Sequence, residues 1–150
     1  MPLRPDRVVG DDVGDSAAVA DWVRCYIDVW RSGDHLRVSE LFTDDAVYYT
    51  DAFRPPRRGL AEIEEYWRIA GDPPDAFEAH YDPLIVSGDH AVVTGFSRYF
   101  DDSRSRVDKE YANLFVLTFA ADGRCTEYRE WYMLRGEDGP AALAAAGAHT

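Results

Sequence analysis

The order of elements in this chain is decided by residues 30–67, WRSGDHLRVSELFTDDAVYYTDAFRPPRRGLAEIEEYW. A first helix ends at Ser-Gly, and the Asp that follows is a good cap for a second short helix over residues 34–42. Tyr and Val then favour a strand over residues 46–53. Two prolines and a glycine within residues 54–59 predict a turn, because proline lacks a backbone donor. Spaced apolar residues predict a third helix over residues 60–70.

The segments on either side extend this pattern. Apolar residues at three- and four-residue steps predict a first helix over residues 17–31. Runs rich in Val, Phe, Tyr and Leu predict strands near residues 76–87, 90–100, 107–120 and 125–135, with Ser-Gly-Asp and Asp-Gly as hairpin signals. Helices followed by a meander of strands predict an α+β fold.

The length of 150 residues suits one domain. Residues 1–15 mix Pro, Gly and Asp without any period, which predicts a flexible leader. We place the folded domain at residues 16–135. The Ala- and Gly-rich residues 136–150 predict a flexible or short-helical tail.

The composition restricts the partners of this domain. A net charge of −12 argues against nucleic acid and against an anionic membrane surface, because both need clusters of Lys and Arg. Aromatic residues make up 13%, which predicts either a bulky core or a pocket lined with rings. Cys25 and Cys125 form no CxxC pair and predict reduced thiols in a cytoplasmic protein.

The stretch 30–67 resembles the opening of nuclear transport factor 2-like domains, the superfamily of the SnoaL-like proteins. Those domains open with a helix, a Gly-Asp pair, a helix ending in Leu-Phe, a strand, a Pro-rich turn and a third helix. The segment LFVLTFAADGRCTEYREWYML at 114–134 resembles their last two strands. The resemblance covers residues 17–135. It implies a cone-shaped, curved antiparallel sheet wrapped around helices, with one interior pocket.

Two shorter stretches, YTDAFRPPRRG (49–59) and GRCTEYREWYML (123–134), are similar to limonene-1,2-epoxide hydrolase. In that family a Tyr and an Asn hold a water, and an Asp on the last strand acts as the base. By position, Tyr49 corresponds to the Tyr, Asp51 to the Asn and Glu130 to the Asp. The resemblance therefore implies a carboxylate base at Glu130.

At other catalytic positions the chain departs from the families that it resembles. Phe96 and Arg98 fall where the epoxide hydrolase has an Arg and an acidic partner on a middle strand, so the Arg is displaced and the acid is missing. Against ketosteroid isomerase, Tyr26 falls on the tyrosine that donates to the oxyanion. The base position there falls on Thr50, and the second oxyanion acid falls near Phe115. Steroid isomerisation is therefore not expected.

Side chains on one face of three strands form the predicted site. Residues two apart on a strand share a face. If these faces are concave, a carboxylate pair, an Arg and several phenols converge. The residues are Tyr49, Asp51, Phe96, Arg98, Tyr128, Glu130 and Tyr132.

This set suits acid–base chemistry. A Glu buried among rings has a raised pKa and is a usable general base near neutral pH. Asp51 beside Glu130 would raise one pKa further, and Arg98 would oppose that shift and stabilise an oxyanion. Tyr26 and Tyr49 can orient a water or donate a hydrogen bond.

Each assignment has a structural alternative. Glu130 and Arg98 can form a simple cross-strand ion pair, and Asp51 can stabilise its own turn. Tyr26 can belong to the core. A slip of one residue would move a whole strand's set to the other face.

Further candidates for binding come from isolated polar and aromatic residues. Trp30 and Trp67 line either a pocket or the core. His80 and Asp82 are same-face neighbours that suit a general base or a structural hydrogen bond. Asn113 lies within an apolar run and is either a pocket group or an exposed residue.

No cofactor or metal is predicted. The four histidines lack HxH and HExxH spacing, and no Gly-rich phosphate loop, GxGxxG or GxSxG occurs.

Two functions follow as hypotheses. The first is a cofactor-independent acid–base enzyme acting on a small apolar oxygenated metabolite, by epoxide hydrolysis or polyketide-type cyclisation. The second is a non-catalytic domain that binds a small molecule or mediates a dimeric interaction. The resemblance also implies a homodimer formed through the convex face of the sheet, with Trp131 and Met133 as candidate contacts.

Overall fold

The computed structural model describes the backbone of residues 5–136 and the side chains of residues 15–136. Residues 1–4 and most of the predicted tail lie outside this range. The elements, in chain order, are α1 (Pro5–Ser32), a 3₁₀ helix (His35–Glu40), β1 (Phe42–Tyr49), β2 (Arg57–Arg58), α2 (Leu60–Ala70), β3 (Phe77–Ser87), β4 (His90–Phe100), β5 (Val107–Phe119) and β6 (Cys125–Leu134).

The strands form one curved sheet in the order β2-β1-β6-β5-β4-β3. Strands β3 to β6 form the predicted antiparallel meander. Strand β1, however, pairs with β6 in parallel, so the sheet is mixed and the prediction of a purely antiparallel sheet is wrong at this edge. The backbone N–H of Cys125 donates to the Leu41 carbonyl at 2.7 Å, so both strands start from the same end. The α+β class and the cone-like curvature are confirmed.

Helix α1 begins at Pro5, which is earlier than the predicted start at residue 17. Extending a helix adds one hydrogen bond per residue without repeating the cost of nucleation. Its later turns pack on the concave face of the sheet. There the Trp22 indole N–H donates to the Leu41 carbonyl at 3.0 Å, and Val29 is buried.

The segment between α1 and β1 is shorter than predicted. Asp34 caps it as expected, because its carboxylate accepts from the Leu36 N–H at 3.0 Å. The helix ends at Glu40, and Phe42 already belongs to β1. The strand then ends at Tyr49, since Asp51 accepts from the Phe53 N–H at 2.8 Å and starts a turn.

Gly95 allows the sheet to bend. It pairs with Tyr81 across β3 and β4. A Cβ at this position would overlap the His80 carbonyl oxygen and lie 2.7 Å from the Tyr81 Cα. Glycine is thus required for the close approach of the two strands. Helices α1 and α2 cover the resulting hollow.

Two further observations bear on the sequence-based expectations. No helix in the described part of the chain is long and apolar enough to cross a membrane. Cys25 and Cys125 are both free thiols, and Cys125 is buried.

Candidate functional site

A cavity of about 570 Å³ lies between the concave face of the sheet and the two α-helices. Rings and polar groups alternate around its wall. The predicted site residues that line it are Tyr26, Trp30, Asp51, Trp67, Asn113, Glu130 and Tyr132. Tyr128 lies beneath the floor and is fully buried.

The carboxyl group of Glu130 is the polar centre of this pocket. The Tyr128 hydroxyl donates to Oε1 at 2.9 Å, and the Asn113 amide donates from Nδ2 to Oε2 at 3.0 Å. Strands β5 and β6 pair directly, which brings Asn113 and Glu130 onto the same face. Among the described residues, no Lys or Arg forms an ion pair with Glu130. The carboxylate is therefore held by neutral donors alone.

Asn113 is itself oriented by a third residue. The Ser97 hydroxyl donates to its Oδ1 at 2.9 Å, and both side chains are buried. Because the amide oxygen is occupied, the amide nitrogen faces Glu130. The alternative of an exposed Asn113 is thus excluded.

Two opposing effects act on the pKa of Glu130. Burial raises it, and the hydrogen bonds from Tyr128 and Asn113 partly oppose this. A carboxylate whose conjugate acid has a raised pKa is a stronger proton acceptor than an exposed one. The pocket therefore holds a carboxyl group suited to proton transfer.

Three tyrosines pack around this centre: Tyr48 and Tyr128 are buried, and Tyr26 is partly buried. The rings of Tyr48 and Tyr128 stack with 4.4 Å between centroids, and the hydroxyls of Tyr26 and Tyr128 lie 3.2 Å apart. Burial is the main cause that raises the pKa of each phenol well above its usual value. They remain neutral, and the hydroxyl of Tyr128 is the one that donates to Glu130.

The prediction for β4 is one residue out of step. Ser97 and Tyr99 line the pocket, so Phe96 and Arg98 face the convex side. The Arg98 Nε lies 3.5 Å from a Glu110 carboxylate oxygen, and Phe96 is half exposed. The predicted pairing of Arg98 with Glu130 does not form. Arg98 therefore cannot stabilise charge inside the pocket.

The same slip affects Tyr49 and His80. The Arg129 guanidinium lies 4.1 Å from the Tyr49 ring centroid, on the convex face. His80 Nε2 lies 2.8 Å from an Asp82 oxygen, and both side chains are exposed. The neighbouring tyrosines, Tyr48 beside Tyr49 and Tyr81 beside His80, line the pocket instead. The alternation of side chains along these strands does not decide which face lines the pocket, because both faces carry aromatic residues.

Asp51 lies at the rim and is tied to its own turn. One carboxylate oxygen accepts from the Phe53 N–H at 2.8 Å, and the other lies 3.6 Å from the Arg54 Nε. The main interactions of Asp51 are thus those of a residue that stabilises its own turn, as the structural alternative proposed. It does not form a hydrogen-bonded carboxylate pair with Glu130.

Trp30 and Trp67 form part of the wall. Trp30 stacks on Phe77 with 3.6 Å between centroids, and its indole N–H donates to Asp72 at 3.1 Å. Trp67 packs edge-on against Tyr26 at 5.3 Å. Its buried N–H lies near a phenol hydroxyl but has no hydrogen-bond partner of normal geometry in the described residues.

The lining residues that the sequence did not predict include Tyr48, Tyr81, Ser97, Tyr99 and Asp72. The first four lie on β1, β3 and β4, and they follow from shifting the predicted faces of these three strands by one residue. Asp72 follows α2 in a Gly-Asp-Pro-Pro segment, which the sequence marks only as the end of a helix. No local pattern distinguishes it.

The groups available for chemistry in this pocket are carboxyls, an amide, hydroxyls and phenols, together with the cationic side chains of Arg54, Arg57 and Lys109. Within residues 15–136, no three His, Cys, Asp or Glu side chains are grouped so as to hold a metal ion.

The comparison with protein families agrees with this architecture. The model of the SnoaL-like domain matches residues 23–128, which run from α1 to the middle of β6. This chain belongs to the SnoaL-like family. The match includes Asn113 and Tyr128 and ends just before Glu130, so the family covers most of the pocket of this SnoaL-like protein.

Two solved structures share the fold of this SnoaL-like chain. A ketosteroid isomerase-like protein from Erwinia carotovora atroseptica SCRI1043 is 20% identical with a TM-score of 0.59, over 79% of this chain and 96% of that one. The epoxide hydrolase/cyclase-like enzyme SalBIII, of pyran ring formation in the polyether salinomycin, is 21% identical with a TM-score of 0.56, over 76% and 89%. At these identities the likeness shows the fold alone. Among curated proteins, none matches significantly.

Proposed function

We propose that this protein is a cofactor-independent acid–base enzyme that acts on a small apolar oxygenated metabolite, by epoxide hydrolysis or polyketide-type cyclisation. The observation that carries the proposal is Glu130, whose carboxyl group lies in the pocket and accepts its hydrogen bonds from the neutral side chains of Tyr128 and Asn113. A carboxylate of this kind gains more from accepting a proton than one already paired with a cation.

In the proposed hydrolysis, Glu130 takes a proton from a water as the water oxygen attacks an epoxide carbon. The C–O bond of the epoxide breaks, and its electron pair stays on the epoxide oxygen. The protonated Glu130 then returns its proton to that oxygen, which gives a diol and restores the carboxylate. In the proposed cyclisation, a substrate hydroxyl or acidic C–H takes the place of water.

In this scheme, the phenols of the pocket stabilise the negative charge that develops on the epoxide oxygen. Burial raises the pKa of Tyr81 and Tyr99 above the usual range. They are therefore poor proton donors, but their O–H groups can stabilise a developing oxyanion by hydrogen bonding. This role replaces the one expected for Arg98 and Tyr49.

The relatives support the same reaction classes. One solved neighbour is described as ketosteroid isomerase-like and the other as epoxide hydrolase/cyclase-like. Thr50 lines the pocket at the position of the steroid isomerase base, but its hydroxyl cannot take a proton from carbon as a carboxylate does. Hydrolysis or cyclisation by Glu130 therefore fits this pocket better than steroid isomerisation.

The test is diol formation from a panel of terpene, alkyl and aryl epoxides, followed by mass spectrometry. We expect Glu130→Gln to lose about a hundredfold or more of the wild-type rate, the size of a lost general base. Glu127→Gln is the matched control, because Glu127 lies on the same strand but pairs with Arg129 at 2.9 Å. Equal loss in both variants would contradict the role of Glu130. Absence of diol from every epoxide would remove hydrolysis and leave cyclisation or binding.

The second candidate function is a binding domain without chemistry. The observation in its favour is that Asp51 is engaged by Phe53 and Arg54 and does not assist Glu130. In that case the pocket would bind small apolar ligands, and Glu130→Gln would alter affinity without any turnover.

We also propose a homodimer formed through the convex face. Four exposed apolar residues lie together there on β4, β5 and β6, and we call them the convex patch: Phe96, Leu114, Trp131 and Met133. The ion pair of Arg98 and Glu110 borders the convex patch and supplies both signs of charge. A face that carries its own complementary charges suits a second copy of the same chain.

A further inference from the structure

Asp72 is another carboxyl group in the wall of the pocket, and the proposed reaction does not use it. It follows α2 and lines the cavity beside Trp30 and Tyr99. Its Oδ2 accepts from the Trp30 indole N–H at 3.1 Å. Among the described residues, no other group donates to Asp72 and no Lys, Arg or His pairs with it. Its Oδ1 is thus available to a molecule in the pocket.

The backbone around Asp72 holds it in place. The following residue is Pro73, which restricts Asp72 to extended conformations. A Cβ on Gly71 would lie 3.0 Å from the Trp67 carbonyl oxygen, so this segment packs closely against the end of α2. The Arg31 guanidinium donates to the Pro74 carbonyl at 3.4 Å and ties the same segment to α1.

The hydrogen-bond donor of Asp72 is equally well fixed. Trp30 stacks on Phe77 with 3.6 Å between ring centroids and 12° between ring planes. The Arg31 guanidinium lies 5.0 Å from the centroid of the Phe77 ring. The indole N–H therefore points in one direction, and it occupies one oxygen of Asp72. A carboxylate in this setting is a preformed acceptor for a donor on a ligand.

We propose that Asp72 is a second binding centre of the pocket, which accepts a hydrogen bond from a hydroxyl or ammonium group of the ligand. The inference uses the same pocket as the proposed function and adds to it a chemical class of substrate. The ligand then carries a donor group at one end, bound by Asp72, and its reacting atoms near Glu130. Tyr99 lines the same cavity, and burial raises its pKa, with smaller contributions from the charges of Asp72 and Glu130.

The substitution Asp72→Asn reverses the polarity of this centre. The indole N–H of Trp30 selects the amide oxygen as its partner, so the amide N–H₂ faces the pocket. A ligand donor then meets another donor. The matched control is Asp75→Asn, because Asp75 is exposed, lies in the same segment and pairs with Arg104 at 3.4 Å, away from the pocket.

The experiment measures binding of indane, 2-indanol and 2-aminoindane to the full chain by ligand-observed NMR titration. These probes share one skeleton and differ in a single group. We expect wild type to bind at least one donor compound about tenfold or more tightly than indane, the size of a hydrogen bond to a charged group. Asp72→Asn should lose this preference, and Asp75→Asn should keep it. A preference for both donor compounds indicates hydroxyl recognition, and one for the amine alone indicates recognition of charge.

Three results would overturn the proposal. They are equal affinity of wild type for all three probes, binding of neither donor compound, and a preference that persists in Asp72→Asn, which would point to another carboxyl group of the pocket. If Asp72→Asn does not fold, Asp72→Ser removes the carboxylate, and its shorter hydroxyl side chain no longer offers a second oxygen to the pocket. Because binding requires no turnover, failure here leaves the role of Glu130 in catalysis standing, and an inactive protein can still support Asp72.

Discussion

At the scale of single residues, two opposing effects determine the protonation of Glu130. The hydroxyl of Tyr128 and the amide of Asn113 both donate to it, which favours the ionised form. Burial favours the neutral form and is the larger effect, so the pKa is raised. A group in this balance changes its protonation readily when a substrate enters, as a general base must.

The raised pKa predicts how stability depends on pH. Between the ordinary pKa of a glutamic acid and the raised one, the folded protein binds more protons at Glu130 than the unfolded chain does. The contribution of Glu130 to stability is therefore full at low pH and is lost as the pH rises through this window. Glu130→Gln has no such loss. We expect its melting temperature relative to wild type to be higher at about pH 8 than at about pH 4.

Thermal unfolding of both proteins at the two pH values measures this difference, with Glu127→Gln as the control. A constant offset between Glu130→Gln and wild type would show that Glu130 has an ordinary pKa in the folded state.

At the scale of elements, the sequence predicts the order of helices and strands well. The bounds of α2 and the hairpins of the meander follow directly from apolar spacing and turn residues. The face that each strand presents to the pocket does not follow. On β6 the predicted face is the one that lines the pocket, and it includes Glu130. On β4 the predicted face, with Arg98, is the opposite one, because Ser97 and Tyr99 line the pocket. Alternating aromatic residues occupy both faces of β4, so burial depends on the helices that cover it.

Parallel pairing of β1 with β6 could not be inferred from local patterns either. The two strands are separated by most of the chain, and contacts between them depend on how α1 and the 3₁₀ helix pack. Asp72 is missed for a related reason, since only the packing of its loop against Trp30 brings it to the cavity.

Gly95 gives a prediction at the same scale. A Cβ there would overlap the His80 carbonyl oxygen, so Gly95→Ala must push β3 and β4 apart. We expect it to lower the free energy of unfolding by about 2–3 kcal/mol, as for overpacking in a close-packed site. Thr94→Ala, at the adjacent residue on the convex side, should cost less than about 1 kcal/mol. Urea denaturation measures both, and equal values would contradict the close approach.

At the scale of the whole molecule, the sheet separates two surfaces with different properties. Its concave face holds the pocket with Glu130, and its convex face exposes the convex patch. Apolar residues gathered on one outer face are typical of a protein interface. The proposed dimer would cover this face without closing the pocket.

The dimer is tested by the mass of the protein in solution, measured by light scattering after gel filtration. We expect wild type at twice the monomer mass, and the double variant Trp131→Glu with Met133→Glu at the monomer mass, because charges in the interface centre remain unpaired. Ile69→Glu is the control, since Ile69 is an exposed apolar residue on α2, outside the convex patch. A monomeric wild type would contradict the proposed interface.

The central claim is that Glu130 is a proton-accepting carboxyl group in the pocket, with a raised pKa. The most direct measurement is a ¹³C NMR titration of the glutamate side-chain carboxyl carbons, with the Glu130 signal assigned by its absence in Glu130→Gln. We predict a midpoint above the range of exposed glutamates, which is near 4.3. A midpoint within or below that range would contradict the account, because Glu130 would then be an ordinary structural carboxylate.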